Sequence, residues 1–411
     1  MRTRRTVILG ASLLVAIAAC ATPPHPMPSS SAAPGAATTS APQSESASAP
    51  PPTDVPAPPG WRSLGTPEAF GAGIVRTIAS TPTGFVAVGC SGAARAVAEC
   101  SAPAVWMSVD GVAWTPPIDL PLLPGELPRI ATAALAIDGG VVVAGEVGRG
   151  DRIHVAVWFA PDGQIFERVP DDASFADASI VELLDVNGSL VAIGAGAYTH
   201  YSGFKAWRSD DGTTWTLTAR GATDDSAPYG AVGIEGGVVA WGATCSVCVP
   251  ETAFWRSADG ITWTGARREL EGEFAHATAL GVTHAGLVAF GTTGVDPAPP
   301  AAWSLPNGAG AWQADDPPPQ PEHTTIRTHL LVGHGAVLAG TSYADDSQTG
   351  LIWLRGPDDA AWREPVTAPV VSVVTLLQDP DRPAELILVG QVDRNGRQVL
   401  ALWSGSVDWA P

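Results

Sequence analysis

Residues 104–115, AVWMSVDGVAWT, have the pattern of a strand, a tight turn and the start of a second strand, with Trp106 and Trp114 on either side of the turn. The chain carries nearly the same sequence again at 206–216, AWRSDDGTTWT, and at 254–264, FWRSADGITWT. Self-similarity at a regular spacing is the mark of a repeat architecture. The spacing therefore has to be followed along the whole chain before any local structure is assigned.

Two markers recur at intervals of 48 to 56 residues. The first is an apolar run closed by glycine, at Gly89, Gly145, Gly194, Gly242, Gly291, Gly340 and Gly390. The second is a tryptophan after an Ala-rich or aliphatic stretch, at Trp106, Trp158, Trp207, Trp255, Trp303, Trp353 and Trp403. A second aromatic residue follows each tryptophan after a turn. Because both markers give seven copies, the segment 61–411 is predicted to contain seven equivalent units.

Each unit shows four short strand candidates separated by turn residues, which in the first unit are 74–80, 85–88, 104–108 and 113–115. No helix-length amphipathic segment interrupts them. Seven such units predict an all-β fold, a seven-bladed β-propeller of four-stranded antiparallel blades, because radial closure removes long unpaired sheet edges. A linear solenoid would need capping repeats, and both terminal units have the ordinary pattern. Either 61–64 or 407–409 is expected to supply the outermost strand of the last blade.

Three of the turns share the pattern Ser-x-Asp-Gly-x-x-Trp. The residues are Ser108, Asp110, Gly111 and Trp114; Ser209, Asp211, Gly212 and Trp215; and Ser257, Asp259, Gly260 and Trp263. The pattern resembles the Asp-box, or bacterial neuraminidase repeat, of sialidase-like propellers, and the turns at 161–163 and 306–308 resemble it weakly. The resemblance implies that the aspartate accepts hydrogen bonds from its own turn, that glycine allows a positive φ, and that the aromatic ring packs beneath. Asp and Gly are adjacent here, whereas the family has one residue between them, which suits a tighter hairpin turn.

The N-terminus has the features of an exported lipoprotein. Residues 1–19 are predicted to be a signal peptide, with three arginines ahead of an uncharged apolar run that is too short to span a bilayer permanently. Its end, Ile17-Ala18-Ala19-Cys20, resembles the lipobox of bacterial lipoproteins, in which the cysteine receives a diacylglycerol. The protein is therefore expected at the cell membrane, on its extracytoplasmic side, with the membrane as a partner through the lipid anchor on Cys20. An ordinary cleaved signal peptide is the alternative.

Residues 20–60 join this cysteine to the repeats and are rich in Pro, Ser, Ala and Thr. With almost nothing to bury, the segment is predicted to be a disordered tether that reaches on the order of 100 Å at ~3.1 Å per residue. The formal net charge of the chain is −19, which makes nucleic acid an improbable partner.

Two further cysteine pairs each lie within one loop, Cys90 with Cys100 and Cys245 with Cys248. Export makes a disulfide the expected state of both. The spacing of Cys245 and Cys248 also fits a redox dithiol or half of a zinc site. A redox dithiol requires a helix N-terminus, and zinc requires ligands that the chain does not place nearby in sequence. No metal site is predicted.

No catalytic residue is predicted. The resemblance to sialidases implies an arginine triad, a tyrosine paired with a glutamate, and an aspartate acid/base, and this set cannot be assigned; 128–130, Pro-Arg-Ile, is only faintly similar to the arginine motif. The acidic pairs at 171–172, 224–225 and 315–316 are interpreted as solvated loop charges rather than a glycosidase pair. No phosphate loop or serine elbow is present, and no cofactor is expected.

One face of the predicted propeller collects the loops between second and third strands and the loops between blades. All four tyrosines fall in or beside these loops. The candidate ligand-binding residues are Tyr198, His200, Tyr201, Tyr229 and Tyr343. Loops on a rigid scaffold carry function more often than the scaffold itself. The leading interpretation is a monomeric cell-envelope lipoprotein whose propeller is a non-enzymatic binding or scaffold module for a protein or an envelope glycan. The alternative is a sialidase-like glycoside hydrolase with an unrecognised active site.

Overall fold

A computed structural model describes the repeat segment. The described residues are 60–411 except 66, 72, 93–96, 197–202, 222–225, 246–249, 295–298, 322, 345–346, 357–358, 360, 369, 379–381, 383, 395–396 and 408–411. Residues 1–59, with the predicted signal peptide, the lipidated Cys20 and nearly all of the tether, lie outside them. No helix in the described part of the chain has the length and apolar character required to cross a membrane.

The described residues form seven four-stranded antiparallel sheets, numbered here as blades 1 to 7. Blade 1 contains β2 (Ile74–Thr81), β3 (Gly84–Ser91), β4 (Ala102–Ser108) and β5 (Ile118–Asp119). Blade 2 contains β6 (Leu127–Ile137), β7 (Gly140–Arg149), β8 (Arg152–Ala160) and β9 (Glu167–Arg168). Blade 3 contains β10 (Ala178–Val186), β11 (Ser189–Gly196), β12 (Phe204–Ser209) and β13 (Thr216–Arg220). Blade 4 contains β14 (Ser226–Ile234), β15 (Gly237–Cys245), β16 (Pro250–Ser257) and β17 (Thr264–Arg267).

Blade 5 contains β18 (His276–Thr283), β19 (Gly286–Thr292), β20 (Pro300–Pro306) and β21 (Gln313–Asp315). Blade 6 contains β22 (Thr324–Val332), β23 (Gly335–Ala344), β24 (Ser347–Arg355) and β25 (Val366–Ala368). Blade 7 contains β26 (Ser372–Gln378), β27 (Glu385–Arg394), β28 (Arg397–Ser406) and the N-terminal β1 (Trp61–Gly65). Short 3₁₀ turns occur at Glu68–Phe70, Val97–Glu99 and Ala173–Phe175.

The first strand of each blade lies innermost, and successive innermost strands contact one another around a ring that closes from β26 to β2. The seven sheets therefore form the predicted seven-bladed propeller. Hydroxyl groups also bridge neighbouring blades near the centre, since Thr132 Oγ1 donates to Ile180 O at 2.7 Å and Thr278 Oγ1 to Ile326 O at 3.4 Å.

The N-terminal strand, not the C-terminal one, completes blade 7. Trp61 pairs with Gly405 and Ser63 with Trp403 along the outer edge of β28. The ring of Trp61 lies over Gly405, where an added Cβ would come within 2.5 Å of the indole Cδ2. This pairing decides between the two alternatives that the sequence left open, because the first and last strands of the segment share one sheet.

The third-strand tryptophans form the centre of each blade. All seven are at most 8% exposed. In blades 1, 2, 5 and 6 the indole N–H donates to a backbone carbonyl in the loop that enters the same blade, at 2.9, 2.7, 2.9 and 2.5 Å. Burying one such ring removes ~150–250 Å² from water, worth on the order of 4–6 kcal/mol.

The three Ser-x-Asp-Gly turns have closely matching hydrogen bonds. In the turn of blade 3, Asp211 Oδ1 accepts the backbone N–H groups of Thr213 and Thr214, both at 2.7 Å. The N–H of Gly212 donates to Ser209 Oγ at 2.9 Å, and the indole N–H of Trp215 donates to Gly212 O at 3.0 Å. The other two turns repeat these contacts within 0.2 Å.

The turn also explains why the fourth strand of blade 1 begins later than expected. The sequence predicts it at 113–115, and it lies at Ile118–Asp119. The N–H groups of Val112 and Ala113 both donate to Asp110 Oδ1, at 2.8 and 2.9 Å, so neither pairs with a neighbouring strand.

Removing the N-terminal strand tests the closure of the ring. Deletion of residues 61–65 should lower the melting temperature by roughly 5–10 °C, because blade 7 loses its outer strand and the half-buried Trp61. Differential scanning calorimetry gives the comparison. A deletion of equal length at 50–54 is the control and should leave the transition in place; equal melting temperatures for the two deletions would contradict the closure by β1.

Replacing the turn aspartate tests the bracing role. Asp211→Ala should lower the free energy of unfolding by about 1–2 kcal/mol, as for loss of a capping side chain. Partial burial opposes ionisation of Asp211, but the hydrogen bonds from Thr214 and Thr213 outweigh it and lower its pKa to about 2. Its contribution is therefore present above pH ~4 and is lost as the pH falls towards 2.

Chemical denaturation at pH 7 and at pH 3 measures both effects. Asp210→Ala is the matched control, since Asp210 is 71% exposed and pairs with Arg208 on the surface. Its cost should stay below about 1 kcal/mol. A larger cost for Asp210→Ala than for Asp211→Ala would overturn the assignment.

Candidate functional site

The face from which second-to-third-strand loops and blade-to-blade loops emerge is called here the upper face. Each innermost strand starts at this face and shifts register after its first few residues, as at a β-bulge. The residues at the shift are Arg76, Thr132, Val181, Tyr229, Thr278, Arg327 and Val374. β-Bulges re-aim side chains and are over-represented beside functional sites. The seven shifts therefore define a ring of positions around the axis, called here the bulge ring.

Glu182 follows the bulge-ring residue of blade 3 and is the most strongly perturbed acid of the described residues. It is 8% exposed, and its Oε2 is buried without a hydrogen-bond partner in the described structure. Burial raises its pKa well above the usual range, and a hydrogen bond with the backbone of Leu183 offsets this only in part. A buried carboxyl without a charged partner is held as the neutral acid. Glu182 therefore retains its proton at pH values at which an exposed glutamate has lost it.

Two arginines occupy the bulge ring. In blade 6, Arg327 Nη2 donates to the Tyr343 hydroxyl at 2.8 Å, while Arg327 Nε is buried and makes no hydrogen bond among the described residues. In blade 1, burial lowers the pKa of Arg76, and the charge of Glu146 in blade 2 partly offsets this. The buried N–H of Arg327 is a donor suited to a carboxylate or another anion.

A tyrosine and a histidine meet between blades 4 and 5. The ring centroids of Tyr229 and His276 lie 5.7 Å apart, edge to face. Burial lowers the pKa of His276 to about 4. Its Nε2 is buried and has no hydrogen-bond partner in the described part of the chain. His276 is therefore a neutral imidazole at pH 7 and a weak base.

The acidic pair at 171–172 is structural. The side chain of Glu126 is fully buried and accepts from Arg149 at 2.8 Å and Arg168 at 3.1 Å; Arg168 also contacts Asp171 at 2.7 Å. Asp172 Oδ1 accepts the N–H of Ser174 at 2.7 Å. Asp171 and Asp172 are exposed loop residues, as the sequence interpretation expects, and each also makes a structural contact. Asp315 is exposed, and 224–225 lie outside the described residues.

The candidate ligand-binding residues are only partly described. Tyr229 and Tyr343 lie on the upper-face side of blades 4 and 6, whereas Tyr198, His200 and Tyr201 fall outside the described residues. Their role in binding stays a prediction.

Sequence reasoning missed Glu182 and the bulge-ring arginines. Glu182 could have been found from the sequence, because it is a charged residue inside the apolar run SIVELLDV. A charged residue in a strand that is otherwise predicted to be buried indicates a functional site more strongly than an exposed apolar residue does. For Arg76 and Arg327 the signal was their occurrence before threonine at the same position of two units.

The predicted disulfide between Cys90 and Cys100 is present, with Cα atoms 5.6 Å apart. It links Cys90, near the end of β3, to Cys100, just before β4, on the upper face. For the second pair, Cys248 and the side chain of Cys245 are outside the described residues, so that disulfide stays a prediction. No group of three or more potential metal-ligating side chains occurs among the residues described.

The chain matches no protein-family model and no curated protein. It is similar in structure to a protein from Lactobacillus plantarum, with 12% identity, a TM-score of 0.52, and coverage of 79% of this chain and 96% of that one. It is also similar to an ulvan lyase of a polysaccharide lyase family, with 13% identity, a TM-score of 0.49, and coverage of 84% and 94%. A third similar structure is a neuraminidase-like protein of a flat-faced bat isolate from Peru, with 11% identity, a TM-score of 0.44, and coverage of 87% and 96%.

These comparisons correct the leading functional interpretation. The similar structures named with an activity are mostly glycoside hydrolases, together with the polysaccharide lyase. This finding contradicts the prediction of a non-enzymatic binding or scaffold module, which is wrong, and it agrees better with the glycoside-hydrolase alternative. At 9–14% identity the likeness itself shows the fold alone.

Proposed function

We propose that this propeller is a carbohydrate-active enzyme that cleaves a glycosidic bond at the bulge ring of its upper face. The observation that carries the proposal is Glu182, a buried carboxyl on an innermost strand whose pKa is raised well above its usual range by burial. A general acid must hold its proton at the working pH and release it to the leaving oxygen. A solvated glutamate loses its proton at acidic pH, whereas burial keeps Glu182 protonated to a higher pH.

The bulge ring supports an acidic sugar as the substrate. The buried Nε–H of Arg327, next to the Tyr343 hydroxyl, is suited to bind a carboxylate of the substrate. Arg76 adds a second guanidinium to the same ring. In this arrangement the arginines hold the anionic group while Glu182 donates its proton to the leaving glycosidic oxygen. Water adds to the anomeric carbon, and the proton that it loses restores Glu182. The hydrogen bonding within the three Ser-x-Asp-Gly turns supports the assignment of the repeat to the Asp-box type.

Glu182→Gln tests the acid. The substitution keeps the shape of the side chain and removes its proton, so cleavage should fall by about 10²–10⁴-fold. The assay measures release of reducing ends and of fluorophore from a panel of acidic and neutral polysaccharides and fluorogenic glycosides, sialosides included. Glu167→Gln, an exposed glutamate on the outer strand of blade 2, is the matched control and should keep wild-type activity.

Stability against pH separates a folding defect from a catalytic one. The folded pKa of Glu182 is raised, so its contribution to stability is greatest below pH ~4.5 and is lost as the pH rises through the folded pKa. Glu182→Gln should be free of this loss and at least as stable as the wild type at pH 7. Absence of cleavage products from every substrate class, or full activity of a folded Glu182→Gln variant, would overturn the proposal.

Elimination is a second candidate reaction. The buried, unbonded Nε2 of His276 could hydrogen-bond to a bound sugar, but a pKa of about 4 makes the ring a weak base for removing a proton next to a substrate carboxylate. The product distinguishes the two reactions, because elimination leaves an unsaturated sugar that absorbs in the ultraviolet and hydrolysis does not.

We further propose that the enzyme is anchored to the membrane through a lipid on Cys20 and acts outside the cytoplasm. The support is the sequence at 17–20, and attachment by two or three acyl chains gives stable anchoring. In the native bacterium, Cys20→Ser should move the protein from the membrane fraction to the soluble fraction. Immunoblotting of the two fractions measures the shift, and a Cys20→Ser variant that stays in the membrane fraction would contradict the anchor.

A further inference from the structure

Two histidines from different blades meet on the lower face, opposite the bulge ring. His284 lies in the two-residue turn between β18 and β19, and His334 in the corresponding turn between β22 and β23. Both residues are exposed, and their ring centroids are 4.7 Å apart. Fifty residues separate them in the sequence, so only the packing of blade 5 against blade 6 brings them together.

A hydrogen bond fixes the orientation of the first ring. His284 Nε2 lies 2.9 Å from Gly333 O in the turn of blade 6. Because a carbonyl oxygen only accepts, Nε2 must carry the hydrogen, and the neutral ring then has its lone pair on Nδ1. Histidines that bind metal ions commonly donate their other ring N–H to a backbone carbonyl in this way. His284 thus presents a ligand nitrogen held by the neighbouring blade.

The separation of the rings fits a shared ion. Metal–nitrogen bonds of ~2.0–2.1 Å place each imidazole centroid roughly 3.2 Å from the ion, so two rings at angles of about 90–110° have centroids about 4.5–5.2 Å apart. The observed 4.7 Å lies in this interval. Direct stacking of two neutral rings allows the same distance. Binding measurements therefore have to separate the two arrangements.

We propose that His284 and His334 together bind one divalent transition-metal ion of the kind that prefers imidazole, such as Zn²⁺ or Cu²⁺. The remaining coordination positions are open to water, since the described residues contain no group of three or more potential ligands. The ion links blade 5 to blade 6 on the face away from Glu182. The proposal is independent of the proposed enzymatic function.

Titration with Cu²⁺ alone tests the site. Isothermal titration calorimetry of the purified full chain in a non-chelating buffer should show one tight site that His284→Ala and His334→Ala each weaken at least 10-fold. The double variant should bind Cu²⁺ no more weakly than either single variant, because removing one of the two histidines already abolishes chelation. His323→Ala, an exposed histidine before β22, is the matched control and should bind as the wild type does. Electron paramagnetic resonance of the wild-type complex should show coupling to two nitrogens.

Thermal unfolding supplies the second readout. Saturating Zn²⁺ should raise the melting temperature of the wild type and of His323→Ala, and of neither site variant, because an ion that binds only the folded state stabilises it. All metal-free variants should unfold within a few degrees of the wild type, since the replaced side chains are exposed. Unchanged affinity in both single variants, or an equal loss in His323→Ala, would overturn the site and leave the two rings as a stacked pair.

Discussion

The packing of blades 1, 3 and 4 depends on the contact between the glycine of each Ser-x-Asp-Gly turn and the preceding blade. An added Cβ at Gly212 would come within 2.9 Å of Val142, and one at Gly260 within 2.4 Å of Val191. The same glycines have φ of 77° and 71°, which side chains rarely allow. The glycine therefore meets two requirements: it allows the turn that closes its own blade, and it lets the preceding blade approach closely. The indole N–H of the tryptophan that follows donates to the carbonyl of the same glycine.

Several polar side chains are buried on the innermost strands. A buried charge is costly unless it is paired or neutralised. Beside the bulge ring, burial favours the neutral form of Glu182, and within the ring Arg327 donates a hydrogen bond to the Tyr343 hydroxyl. His329 shows the same principle between blades 5 and 6, where Gly281 leaves room for its ring and burial lowers its pKa to about 4. Neighbouring blades hold these groups in place, because the innermost strands contact one another around the whole ring.

The two faces of the propeller bring residues that are distant in sequence together in different ways. On the upper face, residues at the same position of successive units surround the axis, so the repeat creates a ring of seven positions. The different side chains at these positions give the candidate site its chemistry. On the lower face, two-residue turns of adjacent blades come together, as the bond from His284 to Gly333 demonstrates. Neither arrangement requires residues to be close in sequence. Both require the number of blades and the order of strands to be fixed.

The sequence by itself determined the repeat, the count of seven blades, the position of the core tryptophans and one disulfide, because these depend on periodicity and on pairs within one unit. The sequence analysis placed the last strand of blade 1 too early, because the N–H of Ala113, which has a strand-like sequence pattern, donates to Asp110 within the turn. The tertiary structure alone decided that Trp61 closes the ring, that Glu182 is a buried acid, and that His284 meets His334. Each of these depends on which residues of different units come into contact when the disc closes, and no local pattern specifies the distances between blades.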